Sequence, residues 1–241
     1  MNRDGIQLDA FSLDKISGVL FDLDGTLVDS APDLLAAVNS VLADANHELL
    51  DIATLRPVVS KGARAMLKVA FPRDDAHQRE ARVSALIAYY AGAIARHTRP
   101  FDGIEPLLAR IERAGKSWGI VTNKSEALAR AVVTAMDWDD RCDTIIGGDT
   151  LSVAKPDPAP LLHACMELGI DPSRCIYVGD DERDIQAARA ASMPNAVALW
   201  GYREAHEDPG TWGADVALAH PDELFPSVVA GPDRRHDCDR N

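Results

Sequence analysis

Asp22 and Asp24 stand two residues apart in Phe21-Asp22-Leu23-Asp24-Gly25-Thr26, directly after the apolar run Ile16-Ser17-Gly18-Val19-Leu20. A β-strand alternates its side chains, so both carboxylates fall on one side where the strand ends. In open α/β sheets, ligands bind beyond the carboxyl ends of the strands. Gly25 and Thr26 there supply a close-approaching backbone and a small hydroxyl. Paired carboxylates at such an edge offer nucleophilic and acid–base chemistry. Taken alone, Asp-Gly equally marks a turn.

Three further signals follow in chain order. Thr122 and Asn123 close the apolar run Trp118-Gly119-Ile120-Val121 and bring a hydroxyl and a side-chain amide to a second strand end. Lys155, in Lys155-Pro156-Asp157-Pro158, sets a cation just before a helix that begins with proline. Asp180, Asp181, Glu182 and Asp184 form a carboxylate cluster after Ile176-Tyr177-Val178-Gly179, where another strand passes into a helix. Each has an ordinary structural reading: Thr122 as a helix N-cap, Lys155 as a solvated loop charge, Asp180 and Asp184 as first-turn partners of a helix dipole. Together, all at strand ends, they point to one site.

These residues resemble the four motifs of the haloacid dehalogenase superfamily: Asp22-x-Asp24-Gly25-Thr26, then Thr122, Lys155, and Gly179-Asp180-x-x-x-Asp184. The resemblance runs from about residue 17 to about residue 224. It implies an α/β fold, a doubly wound (Rossmann-like) parallel sheet core with an inserted α-helical cap domain. The core is expected over residues 16–30 and 100–230, the cap over 31–99, and a disordered tail over 231–241.

The resemblance also implies roles. Asp22 is the nucleophile and forms an aspartyl-phosphate. Asp24 protonates the leaving alkoxide and then deprotonates the attacking water. Mg²⁺ is held by the Asp22 carboxylate, the Asp24 backbone carbonyl and Asp180. Asp184 stands one layer further out, orienting water or pairing with Lys155. Thr122 and the amide of Asn123 hold phosphoryl oxygens, and Lys155 neutralises charge on the nucleophile and the transferring group. Asp181 and Glu182 have a sufficient explanation as first-turn helix residues.

Dehalogenases of the superfamily lack an acid at the Asp24 position, so this chain does not resemble them. Phosphonatases carry an imine-forming cap lysine, for which Lys61 and Lys68 are candidates by location only. A sugar phosphomutase uses the same two aspartates and stays open, as does a non-catalytic regulator that binds a phosphometabolite. Within the superfamily the chain most resembles the phosphoglycolate phosphatase-like group. Inside that group the stretches at 62–66, 118–124, 178–185 and 212–216 are most similar to N-acetylmuramic acid 6-phosphate phosphatases of bacterial cell-wall recycling. The expected activity is Mg²⁺-dependent hydrolysis of a small carboxylated phosphomonoester, with N-acetylmuramic acid 6-phosphate ahead of 2-phosphoglycolate. In the cap, Arg64 follows the glycine turn of Ser60-Lys61-Gly62 at a helix start, a geometry suited to an anion. Both substrates bear a carboxylate, so Arg64 does not separate them.

The elements that must position these groups are legible as patterns. Leu34, Leu35, Val38, Val41 and Leu42 recur at helical spacing, as do Met66, Leu67 and Ala70, and then Val83, Leu86, Ile87, Tyr90 and Ile94. Helices are therefore predicted between 31 and 97, with hinges near 29–32 and 99–103. Beyond them helices are predicted at 104–114, 125–136, 158–168, 182–191 and 221–229, and strands at 118–121, 144–147, 175–178, 196–199 and 214–218.

At 241 residues the chain can bury a main core and one smaller inserted unit. Its net charge of −13, from 38 acidic and 25 basic side chains, argues against nucleic-acid partners. No apolar run approaches a membrane span, and the first 15 residues do not read as a signal peptide. Cys142, Cys165, Cys175 and Cys238 lack metal-ligand spacing and are read as reduced thiols. The expected setting is cytoplasmic, as a monomer or homodimer. The scattered histidines form no ligand set, and Trp200, Tyr202 and Trp212 are read as core before pocket.

Overall fold

Val19 and Phe21 point to one face of the first strand and Leu20 to the other, and all three are buried. A strand covered on both faces belongs in the middle of a parallel sheet. The computed structural model describes residues 15–225. In it β1 (Gly18–Phe21) is flanked in parallel by β4 (Ser117–Val121) and β6 (Cys175–Gly179). With β5 (Thr144–Ile146), β7 (Asn195–Ala198) and β8 (Val216–Leu218) they make one six-stranded sheet, ordered β5-β4-β1-β6-β7-β8. The chain works outward from β1 to β5, then returns to β6 on the other side of β1. That reversal leaves a crevice at the carboxyl ends of β1, β4 and β6.

Helices cover both faces. Val19, Phe21, Trp118, Ile120 and Val178 pack with α5 (Ile104–Arg113) and α6 (Glu126–Ala135). Leu20, Val121, Ile146 and Tyr177 pack with α7 (Ala159–Leu168) and α8 (Glu182–Ala190). Two fully buried tryptophans, Trp118 and Trp138, meet edge to face at 5.8 Å. Their indole N–H groups donate to Glu112 and Glu105, so no buried donor is left unpaired there.

Between β1 and β4 a helical unit builds a core of its own from α1 (Ala31–Asp44), α2 (Ile52–Leu55), α3 (Ala63–Ala70) and α4 (Ala76–Ala91). Leu34, Val38, Leu42, Leu67, Leu86 and Tyr90 are buried within it. Asp75 and Gln78 close a capping box at the start of α4. The two crossings into and out of this unit pair with each other: β2 (Val28–Asp29) runs antiparallel to β3 (Arg99–Pro100). A two-residue ribbon carries no alternation to read, so the sequence pattern shows only hinges there.

The helix predicted over 221–229 is not formed where it can be followed. Pro221–Glu223 makes one 3₁₀ turn, after which Leu224 and Phe225 insert into the core. The rest of that segment, the 231–241 tail and Cys238 lie outside the described residues. Cys142, Cys165 and Cys175 are free thiols. Among the described residues no helix is long and apolar enough to cross a membrane.

Candidate active site

β1 delivers Asp22 to the crevice, and the chain turns at once through Gly25, whose φ is +88°. A Cβ on Gly25 would lie 2.2 Å from Asp180 Oδ2, so only glycine lets the first loop close over the end of β6. Asp180 follows β6 directly and is fully buried. Carboxylate oxygens of Asp22, Asp180 and Asp184 lie within 4.8 Å of one another.

Asp22 Oδ1 accepts the Leu23 N–H at 2.7 Å and lies 3.2 Å from Lys155 Nζ. Its Oδ2 accepts no hydrogen bond among the described residues. The sequence places Lys155 in a loop, yet its side chain is only 2% exposed. Nζ donates to Asp184 Oδ1 at 2.7 Å, to the Val121 carbonyl at 2.8 Å and to the Tyr177 hydroxyl at 2.6 Å. Burial works against the ammonium form, but the carboxylates of Asp184 and Asp22 outweigh it and hold the pKa above the ordinary lysine value.

The acids show the opposite balance. Burial pushes Asp180 well above the usual carboxylate range, and the charges of Asp22 and Asp184 add to it. Burial likewise pushes Asp184 up, to about 6, against the pull of Lys155. Four carboxylates, Asp22, Asp24, Asp180 and Asp184, face two ammonium groups, Lys155 and Lys124. A surplus of buried hard oxygen donors is what a small divalent cation would relieve. Among the described residues Asp180 Oδ1 accepts only from the Thr26 hydroxyl, which leaves it a second acceptor site. The donor set fits Mg²⁺, and Asp184 is held against Lys155 and the Asp181 N–H at the start of α8.

Thr122 directly follows β4, with its backbone N–H donating to the Ile146 carbonyl and its hydroxyl oxygen accepting the Lys124 N–H at 3.3 Å. The hydroxyl proton is left to donate into the crevice. Asn123 departs from the sequence reading of its side chain. Nδ2 donates to the Lys155 carbonyl at 2.9 Å and Oδ1 accepts the Lys155 N–H at 3.0 Å. The side-chain amide braces the lysine loop, and only the backbone N–H of Asn123 remains for a phosphoryl oxygen.

Asp24 lies beside Lys124, whose Nζ reaches both carboxylate oxygens, at 3.0 and 2.8 Å. The Ser30 hydroxyl donates to Asp24 Oδ1 at 2.5 Å. Ser60, from the helical unit, reaches into the site, donating to Asp180 Oδ2 at 2.8 Å and lying 3.3 Å from the Asp24 carbonyl. Lys61 pairs with Asp181 at 2.8 Å and with Glu207. Arg183 pairs with Asp181 and donates to the Ser60 carbonyl at 2.6 Å. Burial opposes ionisation of Asp181, but Arg183 and Lys61 prevail and lower its pKa to about 2. Sequence reasoning missed Lys124, Ser60, Tyr90 and Arg183. Lys124 carried a usable signal, since it directly follows Thr122 and Asn123 at the strand end.

Above these groups lies a cavity of about 480 Å³. Its floor is Asp22, Asp24, Thr122 and Lys155, and its far wall includes Met66, Val83, Leu86 and Ile87 of the helical unit. Arg64 lines the mouth, bound through Nε and Nη2 to Glu80 at 2.7 and 2.6 Å. Its side chain is 75% exposed, and the arginine offered by the sequence for an anion is paired with Glu80. Lys68 does not line the cavity, and Lys61 is held in its ion pairs. Tyr202 is buried, its hydroxyl donating to Asp29, and Trp200 donates to the Thr26 carbonyl.

The family model described as haloacid dehalogenase-like hydrolase matches residues 19–198. A phosphoglycolate phosphatase of Xanthomonas campestris pv. campestris is 53% identical over 207 residues, 86% of this chain and 94% of that protein. An N-acetylmuramic acid 6-phosphate phosphatase of Pseudomonas aeruginosa is 42% identical over 212 residues, 88% and 94% of the two chains. The crystal structure of a predicted phosphoglycolate phosphatase from Haemophilus somnus superposes with a TM-score of 0.78 at 25% identity, over 87% of this chain and 96% of the other. The chain is an enzyme, a phosphatase, and it belongs to the haloacid dehalogenase-like hydrolase family.

Proposed function

We propose that this phosphatase is Mg²⁺-dependent and works through an aspartyl-phosphate on Asp22. The observation that carries the reading is the asymmetry of that carboxylate. Oδ1 is fixed by Leu23 and Lys155, while Oδ2 is free at the floor of the cavity. A nucleophile so held needs little reorganisation before attack. Oδ2 forms a bond to phosphorus, the ester P–O bond breaks, and the electron pair leaves on the ester oxygen, which takes a proton from Asp24. Asp24, now a carboxylate, takes a proton from water as that water attacks phosphorus, releasing phosphate and restoring Asp22.

Thr122, the Asn123 N–H and Lys155 are the donors aimed at the phosphoryl oxygens, and Thr122 and Lys155 act from a buried setting where such contacts are strong. Asp22, Asp180 and the Asp24 carbonyl are the proposed Mg²⁺ holders, with Asp184 keeping Lys155 in place. When bound, the ion supplies Lewis-acid neutralisation of phosphoryl charge.

For the substrate we propose a carboxylated phosphomonoester, N-acetylmuramic acid 6-phosphate first. A cavity of about 480 Å³ is ample for an amino-sugar phosphate. Val83, Leu86 and Ile87 give apolar surface that acetyl and lactyl methyl groups can cover. The cations lining the mouth are paired, and the exposed Arg64–Glu80 pair is the easiest to exchange for a substrate carboxylate. A second reading, 2-phosphoglycolate, draws support from the name of the 53% identical relative. A cytoplasmic setting fits the free thiols.

The test is kcat/KM for phosphate release from both compounds, side by side in Mg²⁺ with an EDTA control. A preference of about 100-fold, about 2.7 kcal/mol of transition-state binding, assigns the substrate. Equal rates in EDTA and Mg²⁺ contradict metal dependence.

A further inference from the structure

The side chain of Lys124 is only 7% exposed, and it carries three ammonium protons. All three have partners: Asp24 Oδ1 at 3.0 Å, Asp24 Oδ2 at 2.8 Å and the Tyr90 hydroxyl at 2.9 Å. The ammonium group also lies 4.3 Å from the centre of the Tyr90 ring. While this arrangement stands, Lys124 has no donor left for a substrate. Asp24 is bound nearly as fully. Of its four acceptor sites, two on Oδ1 are filled by Ser30 and Lys124, and one on Oδ2 by Lys124. One site remains, on Oδ2, and Asp24 lines the cavity.

We infer that Lys124 is a positioning residue that fixes Asp24 so that Oδ2 alone exchanges a proton with the leaving oxygen, and that Tyr90 makes this positioning depend on the helical unit. The inference rests on the proton-transfer role of Asp24 proposed above. Tyr90 belongs to α4, and Lys124 follows β4 of the sheet. The Tyr90–Lys124 contact therefore spans the cavity, and a displaced helical unit would release one of the three bonds that orient the ammonium group. The remainder of the lysine's shell is Asp24 itself, so a shift of Nζ is passed straight to the carboxyl.

The test uses leaving-group chemistry. An alkyl phosphate needs its leaving oxygen protonated, whereas p-nitrophenyl phosphate expels a stable phenolate without help. The ratio of kcat/KM for an alkyl phosphate, N-acetylmuramic acid 6-phosphate or 2-phosphoglycolate, to that for p-nitrophenyl phosphate thus reports proton delivery. Because kcat/KM ends at the first irreversible step, later hydrolysis of the phosphoenzyme does not enter. Lys124→Met is expected to lower this ratio by about 10- to 100-fold, part of the 10²–10⁴ that general acid catalysis supplies. Tyr90→Phe is expected to lower it several-fold. Residual turnover of p-nitrophenyl phosphate shows that each variant is folded.

Asp24→Asn separates this inference from the reading beneath it. If Asp24→Asn collapses the ratio and Lys124→Met leaves it within twofold of wild type, the positioning role is overturned and the acid role stands. If Asp24→Asn leaves the ratio unchanged, both fall. In the double variant Asp24→Asn with Lys124→Met, the second change is expected to have no further effect on the ratio.

Discussion

Lys155 and Arg64 both pair with carboxylates around one cavity, and they differ in almost every other respect. Lys155 is 2% exposed and is wedged among Asp184, Asp22, Tyr177 and a carbonyl at the sheet edge. Arg64 is 75% exposed and holds Glu80 across the surface of the helical unit. In the first setting a charge cannot be removed without stranding another in low dielectric. In the second, water and salt take over the partner at little cost. The sheet edge is preorganised for one chemistry, and the helical wall is free to exchange contacts with whatever enters. In the proposed function, chemistry falls to the buried sheet edge and selectivity to the exposed helical wall.

The division is tested most strongly at Asp22. Asp22→Asn keeps the shape of the floor, and phosphate release should fall by about 10⁴-fold or more with any substrate, as measured by steady-state assay. Lys155→Met strands Asp184 and Asp22, and urea unfolding should report a loss of about 3–5 kcal/mol, with activity gone as well.

Asp180 sharpens the electrostatic half of the comparison. Its folded pKa lies above its unfolded value, because burial and the charges of Asp22 and Asp184 disfavour ionisation. Between those two values the native state binds the proton more tightly, so this group's contribution to stability falls as pH rises. Asp180→Asn removes the ionisable group and can still accept from the Tyr202 N–H and donate to the Thr26 hydroxyl. In EDTA at about pH 7.5 the variant should melt above wild type, with the gap narrowing towards about pH 4.5. Added Mg²⁺ should raise the Tm of wild type and not that of the variant. The smallest effect is expected on the helical wall: Arg64→Ala should leave Tm unchanged and raise KM for a carboxylated substrate about tenfold, about 1.4 kcal/mol of binding. The KM for p-nitrophenyl phosphate should not move.

The sheet edge was far more legible than the wall. Asp22, Thr122 and Asp180 each close a short apolar run, and a strand buried on both faces leaves such runs unbroken. Lys155 was legible as a motif member but not as a buried residue, since a lysine before Pro156 carries no mark of burial. Lys124 was passed over for the same reason, because a lysine after a strand reads as a solvated end until Asp24 and Tyr90 are seen around it. The Asn123 side chain was assigned to phosphate, yet its true partner is 32 residues away at Lys155, a pairing that no local pattern encodes. Ser60 and Arg183 escaped notice because their contacts join the helical unit to the sheet. The 3₁₀ turn at Pro221–Glu223 stands where the start of a helix over 221–229 is predicted, and the core takes the Leu224 and Phe225 side chains directly after it.

The central claim is that Asp22 itself carries the phosphoryl group during turnover. The most direct measurement is rapid acid quench of the enzyme with phosphoryl-labelled substrate in Mg²⁺, followed by peptide mapping. Label is expected on the peptide containing Asp22, formed before free phosphate accumulates and absent from Asp22→Asn. Phosphate release with no labelled protein, together with turnover retained in Asp22→Asn, would contradict it.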